Sequence, residues 1–112
     1  MTNEQDPNPN QGPLAGVRVV DLTSMISGPV ATMMLADQGA DVIKVEALDG
    51  VLVRGAGATR SGITSTFISS NRSKRALAID LKTPEGVEAL KRLLETADVM
   101  VQNFRPGAIE RM

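Results

Sequence analysis

Residues 71–86, NRSKRALAIDLKTPEG, and residues 97–112, ADVMVQNFRPGAIERM, decide the fold of this chain. In each stretch an apolar run typical of a buried strand is followed by polar residues and a proline. Residues 83–85 begin a helix after the first run, because threonine caps helices and proline suits their first turn. The two stretches predict neighbouring strands whose ends carry positive charge, backbone donors and the ring of Phe104. Open α/β sheets bind nucleotide-like ligands at such strand ends.

The upstream half predicts two further strands around a buried helix. Residues 17–22 (VRVVDL) and 42–45 (VIKV) are β-branched and apolar, as buried strands are. Between them Pro29 suits the first helical position, with Ser27 or Gly28 as the cap, and the helix over 30–38 ends at a left-handed Gly39. Together with strands over 76–81 and 99–101, this alternation predicts an α/β fold. Its sheet is expected to be mostly parallel and Rossmann-like, with flanking helices.

The other segments predict little regular structure. Residues 1–12, MTNEQDPNPNQG, are polar and proline-rich and predict a disordered tail, which leaves residues 13–112 for the α/β domain. Residues 46–65 contain four glycines and predict an irregular loop, with a short element near 67–70. The tail lacks the features of a secretory signal or a mitochondrial presequence, and no apolar stretch is long enough to span a bilayer. We therefore expect a cytoplasmic protein without a membrane partner.

Composition excludes several kinds of chemistry. The chain has 112 residues, enough for one small domain, and its 42% hydrophobic content is typical of globular proteins. It has no cysteine, which excludes disulfides and thiolate zinc sites, and no histidine, which excludes imidazole bases within this chain. A GxGxxG fingerprint is also missing, because Gly28 stands alone after the first strand. We expect neither NAD nor a metal ion to bind here.

Positive charge is concentrated in one part of an otherwise nearly neutral chain. The net charge is −1, yet residues 54–82 hold six basic side chains against Asp80 alone. Such a segment favours a small anionic ligand, with a solvated loop as the open alternative. Two phenylalanines offer few stacking platforms, so we expect no nucleic-acid partner. The basic residues are Arg54, Arg60, Arg72, Lys74, Arg75 and Lys82.

Residues 14–46, LAGVRVVDLTSMISGPVATMMLADQGADVIKVE, and the two stretches quoted first resemble the N-terminal region of the class III CoA-transferase family. This family includes formyl-CoA and carnitine-CoA transferases and α-methylacyl-CoA racemases. The resemblance covers residues 13–112 and implies a transferase that moves coenzyme A between an acyl-CoA and a carboxylic acid. A racemase-type epimerase and a non-catalytic nucleotide- or CoA-binding module remain alternatives. The long stretch between Glu46 and Asn71 is more typical of the transferases than of the racemases.

The resemblance also implies a CoA site at the strand ends, residue by residue. Four residues of the first turn are expected to line the acyl and pantetheine end, and the others are expected to surround the adenine and phosphates. The turn residues are Ser24, Met25, Ile26 and Ser27. The nucleotide-end residues are Arg54, Arg72, Arg75, Ile79, Lys82, Asn103, Phe104, Arg105, Arg111 and Met112.

Two positions depart from the pattern of the family. Many members have an arginine directly after the acid of the second strand, where this chain has Ala47. Formyl-CoA transferases have a glutamine at the position of Ile26, so the isoleucine argues against oxalate or formate as the substrate. None of the aspartates here matches the catalytic aspartate of the family. The resemblance therefore implies no catalytic residue in this portion and no activity for it alone.

The resemblance has further consequences for assembly. It implies that coenzyme A is a substrate rather than a cofactor, and that the full-length enzyme is an interlocked homodimer. The chain ends at Met112, one turn into what reads as a new helix after Pro106 and Gly107. We therefore expect the N-terminal part of a larger enzyme.

Overall fold

The structure is a computed structural model that describes residues 11–48, 59–60, 63–64 and 70–112, with the backbone alone for the two short pairs. Arg54, most of the predicted tail and residues 67–69 lie outside these ranges. Gln11 and Gly12, the last residues of that tail, lie against the end of the first helix. The elements are β1 (Arg18–Asp21), α1 (Ser27–Asp37), β2 (Asp41–Glu46), β3 (Thr59–Arg60), β4 (Ile63–Thr64), β5 (Arg75–Ala78), α2 (Pro84–Leu94) and β6 (Val99–Val101).

Four parallel strands form the main sheet, in the order β5-β2-β1-β6. The register pairs Val19 of β1 with Val42 of β2 on one side and with Val99 of β6 on the other. β3 and β4 form a separate antiparallel pair within the predicted loop. The α/β class with a parallel sheet is confirmed. The prediction that β5 and β6 are neighbours is wrong, because β1 and β2 pair with each other and separate them.

Side chains of the central strands alternate between two apolar clusters, one on each face of the sheet. Val20 and Val45 belong to the cluster that contains Leu90 of α2. Val19 and Val42 belong to the cluster that contains Ala36 of α1. Each helix therefore covers its own face, because the right-handed crossovers from β1 to β2 and from β5 to β6 run in opposite directions along the sheet.

The outer strands are more exposed than their sequences predict. All four residues of β5 are exposed, and Val99 and Met100 of β6 retain 42% and 40% of their accessible surface. Both strands were expected to be buried. Each pairs with only one neighbour within the described sheet, so its outer edge and much of its faces lie open.

The helix ends follow the predictions in part. The Thr83 hydroxyl caps α2 by accepting a hydrogen bond from the Gly86 amide at 3.0 Å, as predicted. Gly39 follows α1 with a φ of 101°, which confirms the predicted positive φ. The predicted caps of α1 are wrong, because the N-cap is Ile26 and no side chain bonds there. No helix within residues 11–48 and 70–112 is long and apolar enough to cross a membrane.

Candidate functional site

A cavity lies at the carboxyl ends of the four parallel strands. It has a volume of about 290 Å³ and opens between the segments that follow β1, β2, β5 and β6. Its walls are mostly apolar, and its polar groups lie at the strand ends. The lining residues are Leu22, Ser24, Val45, Glu46, Ala47, Ile79, Asp80, Leu81, Lys82 and Phe104.

Four residues of the predicted CoA site line this cavity. They are Ser24, Ile79, Lys82 and Phe104, which come from three different strand ends. The ring of Phe104 is half-buried and packs against the cluster that contains Ile79. Lys82 is exposed, and its backbone N–H donates to Asp80 Oδ1 at 3.0 Å. The cavity therefore combines one aromatic ring, aliphatic walls and one exposed cation with two acidic residues, Glu46 and Asp80.

Asn103 braces the site instead of lining the cavity. Its Oδ1 accepts a hydrogen bond from the Ser24 amide at 3.1 Å, and its Nδ2 donates to the Ser24 carbonyl at 2.8 Å. This two-point contact joins the segment after β6 to the turn after β1. These two loops follow β1 and β6, the adjacent strands at which the strand order reverses, and such a switch point is the usual ligand site of open α/β sheets.

The turn between β1 and α1 presents two apolar side chains to solvent. Met25 and Ile26 are 49% and 56% exposed, and Ser27 is also exposed. Met25 has a φ of 71°, a conformation that costs free energy for any residue with a side chain. The three predicted residues thus lie beside Ser24 at the same edge of the sheet, outside the cavity wall.

Arg105, Arg111 and Met112 lie in the turn-rich segment that follows β6. All three are exposed, and none is among the residues that line the cavity. The Arg111 guanidinium lies over Gly107 of the same segment. Their chain positions place them beyond the carboxyl end of β6, on the edge of the sheet that carries the cavity.

The structure does not bring Arg72 and Arg75 to the cavity. Arg72 Nη2 pairs with Asp37 Oδ2 at 2.8 Å, at the end of α1, and Arg75 Nη2 pairs with Asp41 Oδ2 at 2.7 Å, at the start of β2. Both pairs lie at the amino-terminal edge of the sheet, because residues 72 and 75 precede β5 or begin it. The sequence showed that both residues are cations, but it did not show that they lie at the amino-terminal edge of the sheet.

Sequence reasoning missed a buried network under the β1–α1 turn. Asp21 Oδ2 accepts hydrogen bonds from Lys74 Nζ at 2.8 Å and from the Thr32 hydroxyl at 2.7 Å. Its Oδ1 accepts from the amide and the hydroxyl of Thr23. Lys44 Nζ donates to the Thr23 carbonyl at 3.1 Å. The sequence did contain a signal for this network. Asp21 and Lys44 are charged residues within runs that were predicted to be buried strands.

The environment of this network changes its acid–base behaviour. Burial raises the pKa of Asp21, but the hydrogen bonds from Lys74, Thr23 and Thr32 outweigh it and the pKa lies below its usual value. Burial lowers the pKa of Lys74, and the nearby charge of Lys44 adds to this, while Asp21 opposes it.

A second depression lies at the opposite edge, with a volume of about 400 Å³. Its charged groups bond to one another: Arg18 donates to Asp41 Oδ2 at 3.1 Å and to the Thr96 hydroxyl at 2.9 Å, and its amide donates to Asp98. This network already occupies the polar groups that a ligand would need. Within residues 11–48 and 70–112, no group of three or more Asp, Glu, His or Cys side chains is placed to hold a metal ion.

Comparison with known proteins decides the family. The model of CoA-transferase family III matches residues 14–112. The chain belongs to this family. The succinyl-CoA:mesaconate CoA-transferase of Haloarcula hispanica is 45% identical over 105 residues, which are 89% of this chain and 26% of that protein. The human succinyl-CoA:glutarate CoA-transferase is 44% identical over 105 residues, 92% of this chain and 24% of that protein.

Solved structures of the family share the same fold. A CAIB/BAIF family protein from Brucella suis superposes with a TM-score of 0.84 at 38% identity, over 90% of this family III chain and 28% of that one. The chain thus spans about a quarter of the length of the relatives that it matches, and it corresponds to their N-terminal part.

Proposed function

We propose that this chain forms the CoA-binding part of a transferase that moves coenzyme A between an acyl-CoA and a carboxylic acid. The cavity that gathers Ser24, Ile79, Lys82 and Phe104 at the strand ends is the observation that carries the proposal. Family membership over residues 14–112 supports it, as do relatives named for CoA transfer.

The cavity suits the adenine of CoA. Its volume of about 290 Å³ is at the lower end of the range for small-molecule sites, about 300–1,000 Å³, so it fits one ring system. Leu22, Val45 and Ile79 supply aliphatic walls, and Phe104 supplies a face on which a base stacks. The rest of the CoA molecule then extends along the edge of the sheet.

Lys82 is the residue to which we assign the phosphates. It is exposed at the cavity and directly precedes Thr83, the N-cap of α2, where the helix dipole favours negative charge. Arg105 and Arg111 follow β6 on the same edge and add positive charge near the path of the ligand. Ala47 stands where many members of the family have an arginine, so the lysine carries more of this task here.

The turn after β1 faces the acyl and pantetheine end in this proposal. Met25 and Ile26 present exposed apolar surface beside Ser24, as contact with an aliphatic arm requires. An isoleucine replaces the glutamine of formyl-CoA transferases, which favours an acyl group other than formyl or oxalyl. The chemical step in enzymes of this type begins with attack of a carboxylate on the thioester. We assign that carboxylate to no residue of this chain.

We propose an interlocked homodimer in the cytoplasm for the full-length enzyme. The support is the membership of residues 14–112 in CoA-transferase family III. Sedimentation equilibrium of the full-length protein is expected to give the mass of two chains.

A transfer assay tests the proposed function. The full-length enzyme is incubated with pairs of acyl-CoAs and carboxylic acids, and new thioesters are followed by mass spectrometry. We expect a new acyl-CoA formed from the acceptor acid. Epimerisation at the α-carbon without transfer would identify a racemase instead. Binding of CoA without either reaction would identify a non-catalytic module.

A further inference from the structure

A buried ion pair lies beneath the β1–α1 turn and has no part in the proposed contacts with CoA. The side chains of Asp21 and Lys74 are 0% and 2% exposed, and Lys74 Nζ lies 2.8 Å from Asp21 Oδ2. Burying two charges costs free energy, and apolar residues of the same size often give a protein of equal stability. The pair therefore calls for an explanation other than stability alone.

Lys74 connects three segments of the chain. Its Nζ donates to Asp21 Oδ2 at the end of β1, to the Pro29 carbonyl in the first turn of α1 at 3.0 Å, and to Asn71 Oδ1 at 2.8 Å. An ammonium group has three donors, and all three are used. One side chain thus fixes both ends of the β1–α1 turn relative to the segment before β5.

The residues of the turn itself are held at successive positions. The Thr23 amide donates to Asp21 Oδ1 at 2.9 Å, and the Thr23 carbonyl accepts from the buried Lys44. The next residue, Ser24, has both its amide and its carbonyl bonded to Asn103. Met25 then adopts its positive φ of 71°. Such backbone strain persists only where the surroundings over-determine the conformation.

We propose that the Asp21–Lys74 pair, together with Lys44, is a positioning device that holds Met25 and Ile26 where the acyl end of the substrate contacts the chain. This inference rests on the proposed function for the place of the acyl group. The positioning residues do not touch the substrate. They act through the backbone of residues 23–26, and misplacing a contact by about 1 Å costs up to about 100-fold in rate.

A charge-free double variant of the full-length protein tests this role. Asp21→Asn with Lys74→Met removes one charge of each sign, so neither charge of the pair remains buried without the other, as the charge of Asp21 would after Lys74→Met alone. The matched control is Glu88→Gln with Arg92→Met, which removes an exposed ion pair of α2. A further variant, Met25→Leu, assigns the methyl resonance of Met25 in the NMR spectrum.

Three measurements are compared for the double variant and the control: Tm, the ¹³C-methyl chemical shift of Met25, and the kinetics of CoA transfer. For the double variant we expect the methyl resonance of Met25 to shift or broaden and kcat to fall about 10- to 100-fold. The KM for acyl-CoA is expected to stay within about twofold, because the adenine cavity is untouched. The control is expected to match the wild type in all three.

The outcomes separate this proposal from the proposed function. A double variant with unchanged Met25 resonance overturns the positioning role, whether or not the protein is active. If the Met25 resonance shifts in the double variant but the wild-type protein itself transfers no CoA, the positioning of the turn is supported and the proposed function is contradicted. The double variant could also lose activity only because its Tm falls, with the Met25 resonance unchanged in the folded fraction. That result assigns the pair a structural role and contradicts the proposal.

Discussion

Two aspartates of the sheet carry ion pairs, and the fold lowers the pKa of both. Asp21 is buried with Lys74, whereas Asp41 lies between Arg75 and Arg18 at the start of β2. Burial by itself raises each pKa, but the hydrogen bonds and charges of the cations outweigh it. The folded state therefore favours the ionised form of both carboxylates.

This preference predicts a loss of stability in acid. A carboxylate with a lowered pKa contributes stability above its unfolded pKa and loses it as the pH falls through its folded pKa, so Tm should fall from about pH 5 downward. The double variant Asp21→Asn with Lys74→Met should show a shallower fall, because one of the two carboxylates is gone. Differential scanning fluorimetry of the full-length protein measures both curves.

The exposed pair of α2 provides the comparison. Glu88→Gln with Arg92→Met should follow the wild-type curve. If the buried-pair variant loses Tm with acid as steeply as the wild type, Asp21 does not contribute in the way described.

Single charged residues show what the sequence was able to reveal. The run of cations was evident, and Lys82 was correctly expected at a strand end beside Ile79. Lys74, Arg72 and Arg75 belong to the same run, yet one is buried and two form pairs at the opposite edge. The direction of each side chain depends on how the surrounding helices and strands pack, and that packing cannot be read from a single sequence.

At the scale of elements, the first turn of α2 packs closely against residues 80–82, which line the cavity. A Cβ on Gly86 would lie 1.8 Å from the Asp80 carbonyl oxygen, which is backbone. No side chain fits there unless residues 80–82 move away from the helix. Gly86 therefore sets the position of Asp80 and Lys82 relative to the cavity.

Gly86→Ala is expected to lower the free energy of unfolding by about 1–3 kcal/mol, in the range of other overpacking substitutions. It should also weaken CoA binding, because the strain is relieved by shifting residues that line the cavity. Chemical denaturation and calorimetric titration of the full-length protein measure the two effects. Ala89→Gly, at an exposed position of the same helix, should cost about 1 kcal/mol from helix propensity and leave CoA affinity unchanged. A Gly86→Ala protein with wild-type affinity would contradict the account of the helix start.

The elements differ in how well their sequences define them. Residues 83–85 fix the start of α2 by a local hydrogen bond and a proline, and the prediction there is confirmed. β5 and β6 have apolar sequences that equally suit a central or an edge strand. Their exposure depends on which strands they pair with, which is a property of the whole sheet.

At the scale of the whole molecule, the order of the strands creates the cavity. The four strands are parallel in the order β5-β2-β1-β6, so their carboxyl ends lie at one edge of the sheet. The segments that follow the four strands line the cavity there. The sequence predicted the class of fold and four residues of the cavity wall. It did not predict that β5 and β6 are the two outer strands. Pairing between strands that are distant in the chain has no local signature in the sequence.

Calorimetric titration of CoA into the full-length protein tests the central claim, which is that this cavity holds the nucleotide end of CoA. Phe104→Ala is expected to raise the Kd about 5- to 100-fold through loss of base stacking, and Lys82→Ala is expected to weaken binding in a salt-dependent way. Val99→Ala and Lys91→Ala, at exposed positions outside the cavity, should bind as the wild type does. Wild-type affinity in folded Phe104→Ala and Lys82→Ala proteins would contradict the claim.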